Sequence, residues 1–406
     1  MPNSNRVATE ETLSTGVTLM GLMVRNQIHE FDDFLTIKKI VQDGMADKVF
    51  QVGDQIPLTW NNGTTTYDCP MDVVAIRSVI RARDNATVPG MILQTHYAIP
   101  GIQFDGNEAF YYCSSALAAG TYYFTIGTTW GSNCVANKSY YFTLGTDVPA
   151  GGQLVLGTAS STIGALPDTA PANWRVLVYE SQTTTTIRER LTLTEGTTGT
   201  SLGTLSSSTK FGAGALNNLQ CSAYGYNRWS KCGARQYLNS SAAIGQWYTP
   251  QHDYDRPPDQ LTTARGFMAG FSSDFLDILE PVKITTALNT TSDSDIGTTE
   301  VTTDTFFLPS LQEEYCVPQL ADVEGEYWPY WKERLGLSSP QAWYAENTNA
   351  NHIRYLISNT SSAQYVRLRS SYRSYANSAW NVNSTGYVGN NYATYSDALA
   401  PACVVC

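Results

Sequence analysis

Charge is what this sequence of 406 residues has least of. Lys, Arg, Asp and Glu together make up 15% of it, against about 25% in ordinary globular chains. The formal balance is −11. That excludes long-range attraction to a nucleic-acid backbone or an anionic lipid surface, so neither nucleic acid nor membrane is expected as a partner. No run of eighteen apolar residues occurs, which excludes a membrane-spanning helix. The opening stretch MPNSNRVATEETLSTG has no basic region followed by an apolar core, so no secretory leader is expected. The four histidines, His29, His96, His252 and His352, stand beside no nucleophile motif, and a Ser/His or Cys/His triad has no support. The eight cysteines are scattered. Cys403-Val-Val-Cys406 lacks the second CxxC or nearby histidine of a zinc site, so the cysteines are expected as buried free thiols. No metal and no cofactor is expected.

In place of charge the chain has Ser, Thr, Asn, Gly and 25 Tyr, with 42% apolar residues. This composition predicts β-rich structure with polar, weakly charged surfaces, and the length suffices for two or three domains. Residues 1–29 read as a polar N-terminal arm, and 30–100 as a helix-strand segment packing with the C-terminal domain. Within it Phe31, Phe34, Leu35, Ile37, Ile40 and Val41 form a helical stripe closed by Gly44. A strand with an internal turn or bulge follows, with Phe50, Val52, Ile56, Leu58 and Trp60 on one parity. Asn61-Asn62-Gly63 marks a hairpin turn, and Val73 to Ile80 a second strand. Residues 101–205 show short strands at regular spacing, the pattern of an inserted all-β sandwich or jelly-roll-like domain, with 192–209 as a low-complexity connection.

Residues 206–406 read as a further domain. Ser230 is placed as the N-cap of a short helix, and Ser272/Ser273 precede a helix in DFLDILEP that stops at Pro281. Thr305 to Leu308 reads as a strand, and Ser310-Leu311-Gln312-Glu313 as the capping box of the next helix. Val366 to Ser370, Ala379 to Val382 and Ala402 to Val405 read as closing strands. The predicted fold class is α+β.

Between Ser371 and Tyr395 about half the residues are Tyr, Asn or Ser, and Arg373 is the one charge. Tyr and Trp offer rigid contact area with a polar tip, and Ser and Asn adaptable hydrogen bonds, which is the composition of a paratope. An outward-facing ligand-binding surface is expected from Tyr372, Arg373, Tyr375, Asn377, Trp380, Asn381, Asn383, Tyr387, Asn390, Asn391 and Tyr392.

The motifs NRWSKCGARQYLNS (227–240), FFLPSLQEEY (306–315), VRLRSS (366–371) and APACVV (400–405) follow one another in an order that resembles an uncharacterised domain family of gut bacteriophages, prophages and Firmicutes proteins. FQVGDQIPL (50–58) resembles the strand that often opens those proteins. The C-terminal layout is similar to the C-type-lectin-like (formylglycine-generating-enzyme-like) fold, which includes phage receptor-binding proteins varied by diversity-generating retroelements. The resemblance implies a virion protein, a fibre, tail tip or capsid decoration assembled in the host cytoplasm. It would display a face for a host cell-surface protein or glycan, bind other virion proteins and form a homo-oligomer, a trimer by expectation. A bacterial or prophage-encoded surface adhesin and a purely structural virion component are the alternatives. Trp229, Arg235, Leu238, Asn239, Arg369 and Ser370 carry the resemblance and are expected to be structural, with Arg235 paired to Glu313 or Glu314. The sequence departs from the family at Arg367, where Trp is usual, and at Cys232 and Ala234.

Catalysis is not expected. Asp274/Asp277 and Glu324/Glu326 are acidic pairs of the kind that cut glycosidic bonds, but such pairs are usually solvated. His252-Asp253-Tyr254-Asp255 with Asp259 could offer oxygen ligands to calcium, yet lacks the loop pattern of a calcium site.

Overall fold

The computed structural model describes residues 34–106, 110–113, 115–126, 136–158, 174–180, 187–205, 225–249, 251, 257–290, 293, 297–343 and 348–406. Among them the fold is mainly β with a few short helices, so the helical share of the expected α+β class is slight. The expected N-terminal arm and the loop 252–255 lie outside the described residues.

The first core is built where the two ends of the described chain meet. A five-stranded antiparallel sheet runs in the order Gln55–Ile56, Met71–Ile80, Thr87–Thr95, Ala402–Val405, Phe306–Phe307. The last strand of the chain therefore lies inside the sheet, with Cys403 opposite both Leu93 and Phe306. Ala402–Val405 is buried throughout, as a strand covered on both faces requires. The helix Phe34–Gln42 presents Phe34, Ile37 and Val41 to this core with Ile40 at its edge, whereas Leu35, expected in the stripe, turns to solvent at 70% exposure and Phe31 lies outside the described residues. Gly44 follows in the left-handed conformation of a helix terminator. Edge-to-face and tilted rings at 5.0–5.6 Å then link Phe306, Phe267, Phe271, Phe275 and Phe34.

A second core draws only on residues from Cys113 to Leu202, including Phe124, Phe142, Leu154, Trp174 and Val176. Two four-stranded sheets supply it, one ordered Glu189–Thr192, Trp174–Tyr179, Gln153–Thr158, Phe110–Tyr112 and the other Thr194–Glu195, Ser139–Leu144, Gly120–Ile126, Thr200–Leu205. The stretch read as a connection thus contains strand: Thr200–Leu205 pairs parallel with Gly120–Ile126. Backbone pairing outweighs the low-complexity signal there.

Several local readings shift in register. The strand expected over 50–60 divides into Gln55–Ile56 and Thr59–Asn61. The second of these pairs across the Asn61-Asn62-Gly63 turn with Thr66–Asp68, and Asn62 Oδ1 accepts from the Thr64 and Thr65 amides. The helix Gly233–Leu238 is capped by Cys232 in place of Ser230: the Arg235 amide donates to its Sγ at 3.3 Å. The DFLDILEP helix is one turn, Ser273–Leu276, capped by Ser272. The capping box forms as read, with Ser310 N to Glu313 Oε2 at 3.0 Å and Glu313 N to Ser310 Oγ at 3.1 Å, but it closes turns and no helix follows. The helix of this region is Pro329–Leu335, which starts on a proline and ends at Gly336.

The residues of the resemblance hold this framework. Arg235 pairs with Asp304, not with Glu313 or Glu314: its Nε donates to Asp304 Oδ1 at 2.6 Å, while the Trp229 indole and the Thr302 hydroxyl donate to Oδ2. Asn239 donates to the Phe306 carbonyl and accepts from the Thr305 and Phe306 amides. Glu313 instead receives the buried guanidinium of Arg369, and Ser370 donates to Glu324 at 2.7 Å.

Two outcomes follow. Arg235→Ala leaves the Asp304 carboxylate buried without its cation and should cost about 3 kcal/mol, read as a lowered denaturation midpoint of the full chain. An unchanged midpoint would refute the pair's structural role. Glu324 is wholly buried, and burial raises its carboxyl above the ordinary range against the opposing pull of Arg369. A carboxyl raised in the folded state stabilises below its unfolded value and loses that contribution as pH climbs through the folded value. Glu324→Gln should therefore match or exceed the parent's melting temperature at about pH 8, with the gap narrowing toward about pH 4. A uniform loss at every pH would count against it.

Candidate binding face at the C-terminal sheet

The last sheet runs Val388–Tyr392, Ser378–Val382, Val366–Ser371, Ala398–Leu399, the last pair parallel. Strand alternation sends neighbouring side chains to opposite faces, and it divides the tyrosine- and asparagine-rich segment in two. Trp380, opposite Asn390, points into a pile of rings: Trp343 lies 5.3 Å from it, Tyr372 stands edge-on at 5.1 Å, and Tyr375 stacks on Tyr372 at 5.2 Å. Ala379, opposite Asn391, and Asn381, opposite Gly389, face the other way, toward Asp397.

The expected contact surface is therefore cut back. Trp380 is fully buried, and Asn377 and Asn381 are buried too. The ring and the amides serve the fold: Trp380 Nε1 donates to Gln319 at 3.1 Å, Asn377 Oδ1 accepts from the Ser378 hydroxyl at 3.3 Å, and Asn381 donates to Asp397 at 2.8 Å. Arg373 donates to the Leu288 carbonyl at 2.5 Å and takes the Gln319 side chain on its own amide, so it fastens the loop. Asn383 accepts from the Thr385 and Tyr387 amides and shapes its own turn. Beneath the loop, Asn227, the first residue of the NRWS motif, donates to the carbonyls of Tyr375 and Ser378 at 2.7 and 2.6 Å. Tyr372, Tyr387, Asn390, Asn391 and Tyr392 are half-buried, and Tyr375 is exposed.

What faces solvent is a shallow groove of about 480 Å³ lined by Gln364, Tyr365, Ser384, Asn391, Tyr395 and Asp397 among others. Tyr365 and Tyr395 are 46% and 51% exposed, among the most exposed large side chains of the described residues. Its floor rests on Arg367. That guanidinium is 1% exposed, lies over the Phe104 ring, and donates to the carbonyls of Ala379, Asn391, Tyr392 and Tyr395 and to Asp397 Oδ2 at 2.9 Å. Asn391 donates to both oxygens of the same carboxylate. The turn 392–397 is thus tied at three places to one side chain. It also lies against Gly101, where a Cβ would meet the Ser396 carbonyl at 2.1 Å, so only glycine fits.

Sequence reading missed Tyr365, Tyr395 and Asp397. Asp397 had a signal: it is the one acidic residue after Glu346, in a stretch that contains Arg354, Arg367, Arg369 and Arg373. A lone carboxylate among arginines in a low-charge chain is expected to be paired. The acidic pairs do not converge on a site. Asp274 and Asp277 are both exposed, while Glu324 is buried and Glu326 is exposed beside Arg77. Cys403 on the last strand and Cys406 just after it are both buried, and burial pushes the Cys406 thiol up to about 11.

Residues 208–406, which include this sheet and the motifs from Asn227 onward, match the family model described as a domain of unknown function, DUF6273. No curated protein matches the chain, and no solved structure does.

Asp397→Ala strands a buried guanidinium and should cost about 3–5 kcal/mol, whereas Tyr365→Ala at the rim should cost about 0.5 kcal/mol or less. Denaturant titration of both variants checks the contrast. Equal losses would refute the larger structural share given to the Arg367–Asp397 pair.

Proposed function

We propose that the chain is a bacteriophage virion protein whose C-terminal region, in a C-type-lectin-like arrangement, recognises the host surface. One observation carries the reading: two exposed tyrosines flank a groove whose floor is fixed from below by buried Arg367 and Asp397. Exposed aromatic rings on a low-charge surface are a liability unless something covers them. A rigid polar floor between them is what a small, precisely placed set of ligand contacts requires. The meeting of the chain's early and final strands in one sheet, with a separate small sheet holding the tyrosine-rich loops, supports the lectin-like arrangement. The core of residues 113–202 would then attach or space the recognition face on the particle.

Binding of the labelled full chain to intact Firmicutes cells tests this. The parent chain should bind a subset of strains. The double variant Tyr365→Ala/Tyr395→Ala, folded to the parent's melting temperature, should lose roughly tenfold or more in affinity. Undiminished binding by that variant would refute the assignment.

A further inference from the structure

Resting on that reading, we infer that the groove takes an uncharged pyranose of a surface glycan, held without a metal ion and closed to sugars bearing a carboxylate. The inference comes from how the floor spends its donors. Both terminal nitrogens of Arg367 are consumed by four backbone carbonyls and Asp397. The amide nitrogen of Asn391 goes to Asp397, and that of Gln364 to the Ser362 and Ala363 carbonyls and the Ser362 hydroxyl. What these groups keep for a ligand is acceptor capacity: the carbonyl oxygens of Asn391 and Gln364 and the remaining lone pairs of Asp397. Sugar hydroxyls are donors that match such a floor. Tyr365 and Tyr395 supply ring faces for the apolar C–H side of a pyranose.

The same distribution rejects an acidic sugar. The cation nearest the groove floor is 1% exposed with both terminal nitrogens engaged, and no Lys or Arg among the described residues lines the groove, so a ligand carboxylate would meet the negative charge of Asp397 with no free cation to balance it. It also dispenses with a divalent cation. Arg367 already stands 2.9 Å from Asp397 Oδ2, with Asn381 and Asn391 on the same carboxylate. A metal ion there would have to displace a guanidinium that holds the turn together.

The test is calorimetric titration of the full chain with neutral glucose and galactose oligosaccharides, and with matched oligosaccharides ending in sialic or uronic acid, each with and without EDTA. At least one neutral series should bind, with the acidic counterparts roughly tenfold or more weaker. EDTA should change nothing, and Tyr365→Ala/Tyr395→Ala should weaken binding roughly tenfold. Equal or tighter binding of the acidic sugars, or loss of binding in EDTA, overturns the inference. So does binding to none of the sugars while cell binding still depends on the two tyrosines, an outcome that leaves the recognition face standing. Absence of cell binding as well would bring down both.

Discussion

The C-terminal face depends on one buried contact, the guanidinium of Arg367 against the carboxylate of Asp397. Neither charge could be held there alone, since desolvation disfavours the cation and lowers the pKa of Arg367. Asp397 offsets this, and the carbonyls of Ala379, Asn391, Tyr392 and Tyr395 absorb the other donors. A hydrophobic pair of the same volume could stabilise the site as well or better. It could not tell three strands and a turn where to lie, because it has no directional bonds. The ion pair therefore sets the shape of the groove more than it adds to net stability. A tryptophan at this position could not make these bonds, having a single N–H.

That shape explains why composition misled in part. A stretch rich in Tyr, Asn and Ser reads as a contact surface, and in a strand half of it must face inward. Trp380 and Tyr372 go into the ring pile, while Asn377 accepts from the Ser378 hydroxyl, Asn381 donates to Asp397 and Asn383 accepts from neighbouring backbone amides. Polar residues with short side chains are as apt for fastening loops as for gripping ligands, and composition cannot separate the two uses. The exposed flanks come from Tyr365, before the first closing strand, and Tyr395, at the margin of the enriched segment. Only the parallel pairing of Val366–Ser371 with Ala398–Leu399 brings them together.

Where local signals and tertiary demands agree, the sequence was legible. The closing strands, the hairpin at Asn61-Asn62-Gly63 and the helical stripe of Phe34, Ile37 and Val41 fall where periodicity and turn chemistry put them. Where long-range partners decide, it was not. The Ser310–Glu313 box makes both of its bonds, yet Arg369 and Ser370 claim Glu313 and the Leu311 amide and hold the segment in turns. Histidines far apart in sequence end in one buried polar region: His96 bonds Asp72, whose other oxygen accepts from Tyr330, while His352 lies between Glu314 and Gln341 and Glu314 accepts from Gln94. Arg354 lies over Trp331 in the same region, and burial lowers its pKa. No spacing rule announces such contacts, because they join strands early in the chain to residues far later, Asp72 to Tyr330 and Gln94 to Glu314.

The division of labour has a consequence for how such a face can change. Tyr365, Ser384, Tyr395 and Ser396 border the groove and are half-buried or exposed, so substitution of these side chains changes the groove's rim while leaving the Arg367–Asp397 bonds in place. Asp397 lines the same groove and is held from below by Arg367 and Asn381, and the three cannot vary one at a time, since each leaves another's charge or amide stranded. Gly101 is fixed for a different reason, the near contact of the Ser396 carbonyl. A scaffold that concentrates its obligatory polar bonds in a few buried residues leaves the rest of the rim free to vary. On the proposed reading the low overall charge suits this arrangement: with little long-range field to override, the identity of the rim side chains would decide what binds.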